Sequence, residues 1–388
     1  MKSRHSNQTT PILPSLAAAL ALCLCAVTVT GCDLTVTDTA DASSVASVAS
    51  STGGLMEAAS LFTERDLTQT ADTSGARRLT VTDGQTLNVT EAGVYIISGK
   101  ASDASIVVKA DSDDKVQLVL DNVSLTNSDT PCIYCKKAKK VFVTLTGENT
   151  LSVTHPFAAD VSSGIDGVIF SKTDLVCNGT GSLTVTSSAN GIVCKDNFIV
   201  TGGTYSVTAA SKSIDVNDSV RIADGTFHLT GGTDGIHAEN NDNDTLGYIY
   251  IGGGRFTVEA GDDGIHAASL IQIDDGRLDI TAGEGMEGTH IQINGGTLHI
   301  RAGDDGINAA HKSKSYTPTA EINGGDVTIL MTGDGDGIDS NGNIVINGGD
   351  VTINSSHPFD YDGTARLGRG TVTVNGQQIR SIPPSYRP

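Results

Sequence analysis

Aromatic residues are scarce in this chain, whose 388 residues include no tryptophan, eight tyrosines and eight phenylalanines. Protein surfaces that grip neutral crystalline glucan present a flat strip of aromatic rings, because the ring faces stack on the C–H surfaces of sugars. This sequence has little material for such a strip. Any surface that binds a large ligand is therefore expected to be polar.

Basic residues are also few, with 25 lysines and arginines against 45 aspartates and glutamates, which gives a formal net charge of −20. Nucleic acid is not expected as a partner, because a polyanion needs basic patches that displace its counterions. Acidity of this kind suits a calcium-rich exterior, since Ca²⁺ prefers carboxylate oxygens as ligands.

Long apolar runs are absent after the N-terminal segment. That segment carries Lys2 and Arg4, then an apolar stretch over residues 12–29, then Val29-Thr30-Gly31-Cys32. This order is typical of a bacterial lipoprotein signal peptide, residues 1–31, with Cys32 as the lipidated first residue of the mature protein. We expect an exported chain, lipid-anchored to the bacterial membrane and facing the extracytoplasmic side or the cell surface, with a mature charge of 23 − 45 = −22.

Two further segments follow the signal peptide. Residues 32–75 are rich in Ser, Thr, Ala and Asp with little periodicity, which predicts a flexible tether. Residues 76–388 contain no convincing amphipathic helix and form one large domain or an elongated repeat array.

Cysteine is sparse in the predicted domain, since three of the seven cysteines lie in the export signal. Those that remain are Cys132, Cys135, Cys177 and Cys194. The Cys132-Ile133-Tyr134-Cys135 spacing lacks a second CxxC motif or a histidine pair, so metal or redox chemistry is not favoured. We expect buried structural thiols, with a disulfide among them as the alternative.

A five-residue phrase recurs at 233–237, 262–266, 283–287, 304–308 and 335–339, with Ile or Met in its fourth position. Aligning that position gives a longer apolar series: Ile133, Ile169, Ile192, Ile214, Ile236, Ile265, Met286, Ile307, Ile338 and Phe359. Stacked repeats bury a shared core, so this series is expected to point inward, with the phrase glycine at a corner.

Each repeat also holds short segments in which apolar and polar residues alternate, as in Ile291-Gln292-Ile293, which is the pattern of a strand. The turns Asn294-Gly295-Gly296, Asn323-Gly324-Gly325 and Asn347-Gly348-Gly349 permit positive φ at corners. The sequence therefore predicts an all-β, single-stranded, right-handed parallel β-helix, a solenoid with coils of about 21 residues. Insertions at 239–247 and 311–319 leave the coil at the same corner and are expected to frame a binding surface.

Acidic residues one repeat apart stack into vertical files in such a solenoid. One file, before the phrase glycine, reads Lys212, Asp234, Asp263, Glu284, Asp305 and Asp336. Another, after the phrase isoleucine, reads Asp215, His237, His266, Glu287, Asn308 and Asp339, with Asp360 as its continuation. Unit charges ~4.8 Å apart repel by roughly 1 kcal/mol in water and several times that at lower dielectric, so the files favour a bridging cation.

Oxygen-rich clusters suit Ca²⁺ better than Zn²⁺, so Ca²⁺ is the expected cofactor. The candidate calcium ligands are Asp234, Asp262, Asp263, Glu284, Glu287, Asp304, Asp305, Asp334, Asp336 and Asp339. His237 and His266 offer nitrogen to a softer metal, although strand alternation places them first as outward surface residues. Ordinary Asp-Gly turn chemistry is the alternative for the acidic residues.

Several motifs follow one another between residues 79 and 376. They are Val116-Gln117-Leu118-Val119-Leu120-Asp121, Gly147-Glu148-Asn149-Thr150-Leu151, the Asp-Gly-Ile phrases, Glu284-Gly285-Met286-Glu287-Gly288 and Asp360-Tyr361-Asp362-Gly363. Together they resemble a calcium-containing, carbohydrate-binding parallel β-helix family of bacteria, whose type member is a candidate adhesin for cellulose and acidic sugars.

This resemblance implies calcium sites similar to that of one pectate-lyase family, without established lyase activity. It points to the acidic candidates given above, apart from Asp334. The chain departs from the pattern at Lys212-Ser213-Ile214, where Asp-Gly would be usual.

Three functions remain open from the sequence. The first is a lipid-anchored binding module or adhesin that holds acidic polysaccharide through Ca²⁺ shared with uronate carboxylates. Cellulose is a further candidate ligand. The second is a calcium-dependent, pectate-type lyase with Lys212 as the base, although a lysine among acids is more often an ion-pair partner. The third is a structural surface lipoprotein that binds another protein.

Overall fold

The structure, a computed structural model, describes residues 54–157 and 164–385, so the predicted signal peptide, Cys32 and residues 32–53 lie outside the described residues. The described part contains two short helices, Ala58–Leu61 and Glu64–Leu67, and a 34-stranded sheet. Strand pairing is parallel except where Thr371–Val374 meets Gln377–Ile379. The all-β class and the solenoid-like stacking are thus confirmed. Neither helix has the length and apolar character needed to cross a membrane.

Stacked strands form three ladders, through which the chain passes in turn. The first ladder carries the repeated phrase, and the second and third follow it in each coil. Four long strands turn a corner and belong to two ladders. Gly93–Ser102 and Lys115–Asn127 join the second to the third, and Asp263–Ile273 and Glu284–Ile293 join the first to the second.

The other strands belong to one ladder each. In the first ladder they are Thr86–Val89, Ser105–Lys109, Ile133–Lys137, Gly167–Ser171, Asn190–Cys194, Ile214–Val216, Ile236–Ala238, Ile307–Ala309, Asp336–Ser340 and His357–Tyr361. In the second they are Arg77–Thr80, Lys140–Thr146, Asp174–Gly179, Asn197–Val200, Ser219–Ile222, Tyr248–Ile251, Thr319–Ile322, Asn343–Ile346 and Ala365–Leu367. In the third they are Glu148–Val153, Ser182–Ser187, Thr204–Ala209, Thr226–Gly231, Arg255–Ala260, Arg277–Ala282, Thr297–Ala302, Asp326–Met331, Asp350–Asn354, Thr371–Val374 and Gln377–Ile379.

The inward apolar series is confirmed. Register partners follow one another from Ile133 through Ile265 and Met286 to Phe359, and each member is at most 5% exposed. Aromatic residues are used in the same core, where Tyr205, Phe227 and Phe256 stack with ring centroids 5.2 and 4.6 Å apart. Each rung thus shares its apolar surface with the coils on either side.

The Asn-Gly-Gly corners also behave as predicted, because Gly296 and Gly325 have φ angles of 86° and 88°. Gly235 and Gly306 lie in bends just before a strand, but Gly264 does not. Gly264 lies inside the strand Asp263–Ile273, and a Cβ atom there would sit 2.3 Å from Ile280 Cγ2 and 2.6 Å from the Gly285 carbonyl oxygen. The corner prediction was wrong for this position. Glycine is required there because neighbouring coils approach too closely for a side chain.

The tether prediction was wrong for residues 54–69, which we call the N-terminal strap. Phe62 is 8% exposed and packs against the ring of Tyr250, with centroids 6.0 Å apart. The strap covers outward apolar side chains of the second ladder, including Phe142 and Ile199. Continuous apolar strands such as Lys140–Thr146, buried on both faces, are the sequence signal of such a cover.

Polar contacts hold the strap along several coils. The Met56 backbone N–H donates to Gln272 Oε1 at 2.7 Å, and Gln272 Nε2 donates to the Met56 carbonyl at 3.0 Å. Further along, Asp66 pairs with Lys140 at 3.1 Å, and Gln69 Nε2 donates to the Thr201 carbonyl at 3.0 Å. Paired donors and acceptors remove the cost of burying this backbone.

The four cysteines of the domain are buried and unpaired, which confirms the structural-thiol prediction. Burial raises the pKa of Cys132 and of Cys135 to about 12. Thiols that stay protonated are poor nucleophiles and poor metal ligands.

Candidate functional site

Two files of polar residues lie side by side on the outer face of the first ladder, as the sequence predicted. We call them the pre-Gly file and the post-Ile file. In the pre-Gly file Asp263 is the register partner of Glu284. In the post-Ile file Asn308 pairs with Asp339, and Asp339 pairs with Asp360. Parallel stacking therefore brings the repeated side chains together.

Cations of the protein neutralise the N-terminal part of these files. Lys212 Nζ lies 3.5 Å from Asp215 Oδ1 and 3.6 Å from Asp234 Oδ2, and Lys195 Nζ lies 3.6 Å from Asp215 Oδ2. Burial opposes ionisation of Asp215, but the hydrogen bond from His237 and the charge of Lys212 lower its pKa to about 2. Lys212, the candidate lyase base, thus sits between two carboxylates as an ion-pair partner.

His266 neutralises the next coil. Its Nδ1 atom lies 2.8 Å from Asp263 Oδ2 and 2.9 Å from Glu287 Oε2. Burial lowers the proton affinity of the ring, but hydrogen bonds to these two carboxylates dominate and raise the pKa of His266 to about 9. Lys312 adds a second cation, 2.8 Å from Glu287 Oε1.

The two insertions meet beside this coil, as expected for loops that leave one corner. Lys312 belongs to the insertion 311–319, and the next residue, Ser313, donates from Oγ to the Asp244 carbonyl of the insertion 239–247 at 2.6 Å. The backbone N–H groups of Lys312 and Ser313 both donate to Thr289 Oγ1. The insertions are thereby fixed against the solenoid.

Carboxylates further along the files are less well compensated. Among the described residues, no lysine or arginine forms an ion pair with Glu284, Asp305, Asp336, Asp339 or Asp360. Burial, together with neighbouring carboxylates, raises the pKa of Glu284 to about 7, of Asp305 to about 6 and of Asp339 to about 7. Burial and the neighbouring carboxylate of Asp360 raise the pKa of Asp336 and outweigh the charge of His357, which lowers that pKa.

Asp336, Asp339 and Asp360 form a group in this part, with one oxygen of each within 4.8 Å of the others. Asn308 Oδ1, one coil away, is buried without a hydrogen-bond donor. Asp334, Asp336 and Asp360 also line an open cavity of about 530 Å³ with His357. An all-oxygen donor set with an orphaned amide oxygen beside it fits Ca²⁺.

The remaining candidates are less concentrated. Asp234, Asp262 and Asp263 form a second group within 4.8 Å, although Lys212 and His266 already contact two of its members. Asp304 is exposed. Asp360 and Asn308 lie in the predicted files but were not among the predicted ligands, and His357 was not predicted at all. The signal for the first two was the continued register of the post-Ile file.

Residues 83–363 match the sequence profile of carbohydrate-binding domain-containing proteins, over more than half of the chain. The chain belongs to this family. A carbohydrate-binding domain-containing protein of Acetivibrio thermocellus is 31% identical over 121 residues, which cover 30% of this chain and 42% of the relative. The chain therefore spans less than half the length of that relative.

A solved structure is similar to the chain over most of the length of both proteins. It is that of a polysaccharide lyase-like protein from C. thermocellum, with 24% sequence identity and a TM-score of 0.43. The match covers 76% of this chain and 96% of that one.

Proposed function

We propose that this chain is an exported, lipid-anchored binding module whose right-handed parallel β-helix, with coils of about 21 residues, holds acidic polysaccharide through bound Ca²⁺. Membership of the carbohydrate-binding domain family supports a polysaccharide partner. The lipoprotein signal at residues 1–31 and Cys32 supports attachment to the outside of a membrane.

The observation that carries the proposal is the uneven neutralisation of the carboxylate files. Lys212, His266 and Lys312 serve the N-terminal part, whereas Asp336, Asp339 and Asp360 lie together without a lysine or arginine among the described residues. Carboxylates that are partly buried and close together repel one another, which raises their pKa values and destabilises the folded protein unless a cation binds between them. We assign the calcium site to this group.

Asp336, Asp339 and Asp360 would hold the ion, and the amide oxygen of Asn308 is the nearest neutral donor in the file. Bound Ca²⁺ supplies the positive charge through which a uronate carboxylate attaches to an otherwise acidic surface. The adjoining cavity, lined by Asp334 and His357, gives a sugar residue room beside the carboxylates.

The strap supports this choice of face. It covers outward side chains of the second ladder, which are therefore not available to a long ligand, whereas the files lie on the first ladder. The linked insertions at 239–247 and 311–319 stand beside those files and border the same face.

A glycan panel tests the proposal. The purified domain is applied to immobilised acidic and neutral polysaccharides, including polygalacturonate and cellulose, with Ca²⁺ or with chelator. We expect calcium-dependent retention on the acidic members, loss of retention in Asp339→Asn, and normal retention in Asp326→Asn, an exposed acidic residue of the third ladder.

Either of two results would overturn the proposal in favour of another function. Steady release of unsaturated product from polygalacturonate, abolished by Lys212→Ala, would indicate a lyase. Absence of binding to every glycan, with or without Ca²⁺, would favour a structural or protein-binding lipoprotein.

A further inference from the structure

Two histidines of the post-Ile file lie face to face. His237 and His266 are register partners on adjacent coils, with ring centroids 4.7 Å apart and planes inclined by 18°. The residues are only 7% and 8% exposed. The two imidazole rings therefore pack against each other in nearly parallel planes.

Carboxylates fix the orientation of both rings through Nδ1. His237 Nδ1 lies 3.0 Å from Asp215 Oδ1, and His266 Nδ1 lies between Asp263 and Glu287 at 2.8 and 2.9 Å. This leaves each Nε2 atom as the nitrogen that can coordinate an ion, which on His266 would take the place of the Nε2 proton and keep the positive charge beside Asp263 and Glu287. A carboxylate on the far nitrogen is the arrangement that orients metal-bound histidines and raises their basicity.

Glu239 completes a triangle with the two rings. Its Oε2 atom lies 3.5 Å from His237 Nε2, and the ligand atoms offered by His237, Glu239 and His266 all lie within 4.8 Å of one another. Two ligands about 2.1 Å from a tetrahedral metal are roughly 3.4 Å apart, close to the separation of the first pair. The Glu239 side chain is 44% exposed, so it can move toward the rings.

We propose that His237, His266 and Glu239 form a site for a divalent transition metal of the zinc class, with a fourth position open to solvent. Two imidazole nitrogens favour such a metal over Ca²⁺, which takes oxygen ligands. Three protein ligands with one open position resemble zinc sites that exchange a water or a ligand oxygen. The three residues lie at the start of the insertion 239–247, beside the carboxylate files.

This site is separate from the calcium site proposed above. Three coil steps in the file, through Glu287 and Asn308, separate His266 from Asp339, or about 14 Å at the usual strand spacing. Failure of one site would therefore leave the other intact.

Cobalt and zinc titrations test the inference on the full chain prepared without a histidine tag and freed of metal. We expect one Co²⁺ per chain with the visible absorption of a tetrahedral site, displaced by Zn²⁺ and retained in excess Ca²⁺. His237→Gln and His266→Gln should abolish this signal. His228→Gln, an exposed histidine of the third ladder, and Asp339→Asn should leave it unchanged.

Asp215→Asn separates a built site from simple histidine affinity. It keeps both rings but removes the carboxylate charge beside His237 Nδ1, and we expect zinc affinity to fall about 10–100-fold. The inference is overturned if no stoichiometric Co²⁺ or Zn²⁺ binds, or if binding survives in both His237→Gln and His266→Gln while thermal unfolding shows that the variants are folded.

Discussion

Replacing Asp339 by asparagine should stabilise the metal-free protein while destroying its response to calcium. Burial and the charges of Asp305, Asp336 and Asp360 raise the pKa of Asp339 from 3.8 to about 7. Each tenfold change in proton affinity is worth about 1.4 kcal/mol, so the unscreened penalty of ionising this group is roughly 4 kcal/mol. Solvent reaches the half-buried side chain, and we take about 2 kcal/mol after screening.

The sign follows from proton binding. Between about pH 4 and pH 7 the folded state holds a proton on Asp339 that the unfolded state has lost, so stability falls as pH rises through this range. Asparagine removes the ionisation. In chelator at pH 8 the variant should unfold about 2 kcal/mol less readily than the wild type, and near pH 4 the two should be alike.

Calcium should reverse the order of stability. A ligand at 100 times its dissociation constant adds about 2.7 kcal/mol to the folded state, and the wild type should gain this amount while Asp339→Asn gains little. Thermal unfolding followed by circular dichroism, with calcium or with chelator between pH 4 and pH 8, measures both effects. The reasoning fails if wild-type stability in chelator rises from pH 4 to pH 8, or if the variant responds to calcium as the wild type does.

Three further predictions concern the fold. Phe62→Ala should weaken docking of the strap by about 3 kcal/mol, because removing the buried ring leaves a cavity, and the strap should then be cleaved faster by a protease. In the control Leu55→Ala, at a residue that is 50% exposed, the strap should be cleaved at the wild-type rate. Equal rates in the two variants would contradict docking through Phe62. Gly264→Ala should destabilise the domain by about 1–3 kcal/mol or more, since its Cβ would meet Ile280 and the next coil, and an unchanged Tm would exclude this clash. The four buried thiols should resist Ellman's reagent at pH 8 until the domain is unfolded, and rapid reaction of the native protein would refute their burial.

The ladder of the core was predictable because a solenoid converts sequence period directly into spatial register. Aligning Ile265, Met286 and Ile307 was sufficient to place Asp263 beside Glu284 and Glu287 beside Asn308. The same logic misjudged Gly264, because a close approach between coils and a turn both require glycine.

The docking of the strap and the pairing of cations with the carboxylate files could not be predicted from the sequence repeat. Phe62 lies in a segment whose composition resembles a linker, and its docking depends on outward apolar residues such as Phe142 in distant coils. Lys312 reaches Glu287 from an insertion, so its position depends on how that loop folds. Register alone therefore predicted which residues share a file, whereas the structure shows that Lys212, His266 and Lys312 compensate only its N-terminal part.

Titration of Ca²⁺ into the wild type and Asp339→Asn, with and without oligogalacturonate, tests the central claim most directly. If the ion bridges protein and sugar, saccharide must raise calcium affinity by the same factor by which calcium raises saccharide affinity. We predict this reciprocal gain in the wild type and its loss in Asp339→Asn. Saccharide binding of equal strength with and without calcium would contradict the account.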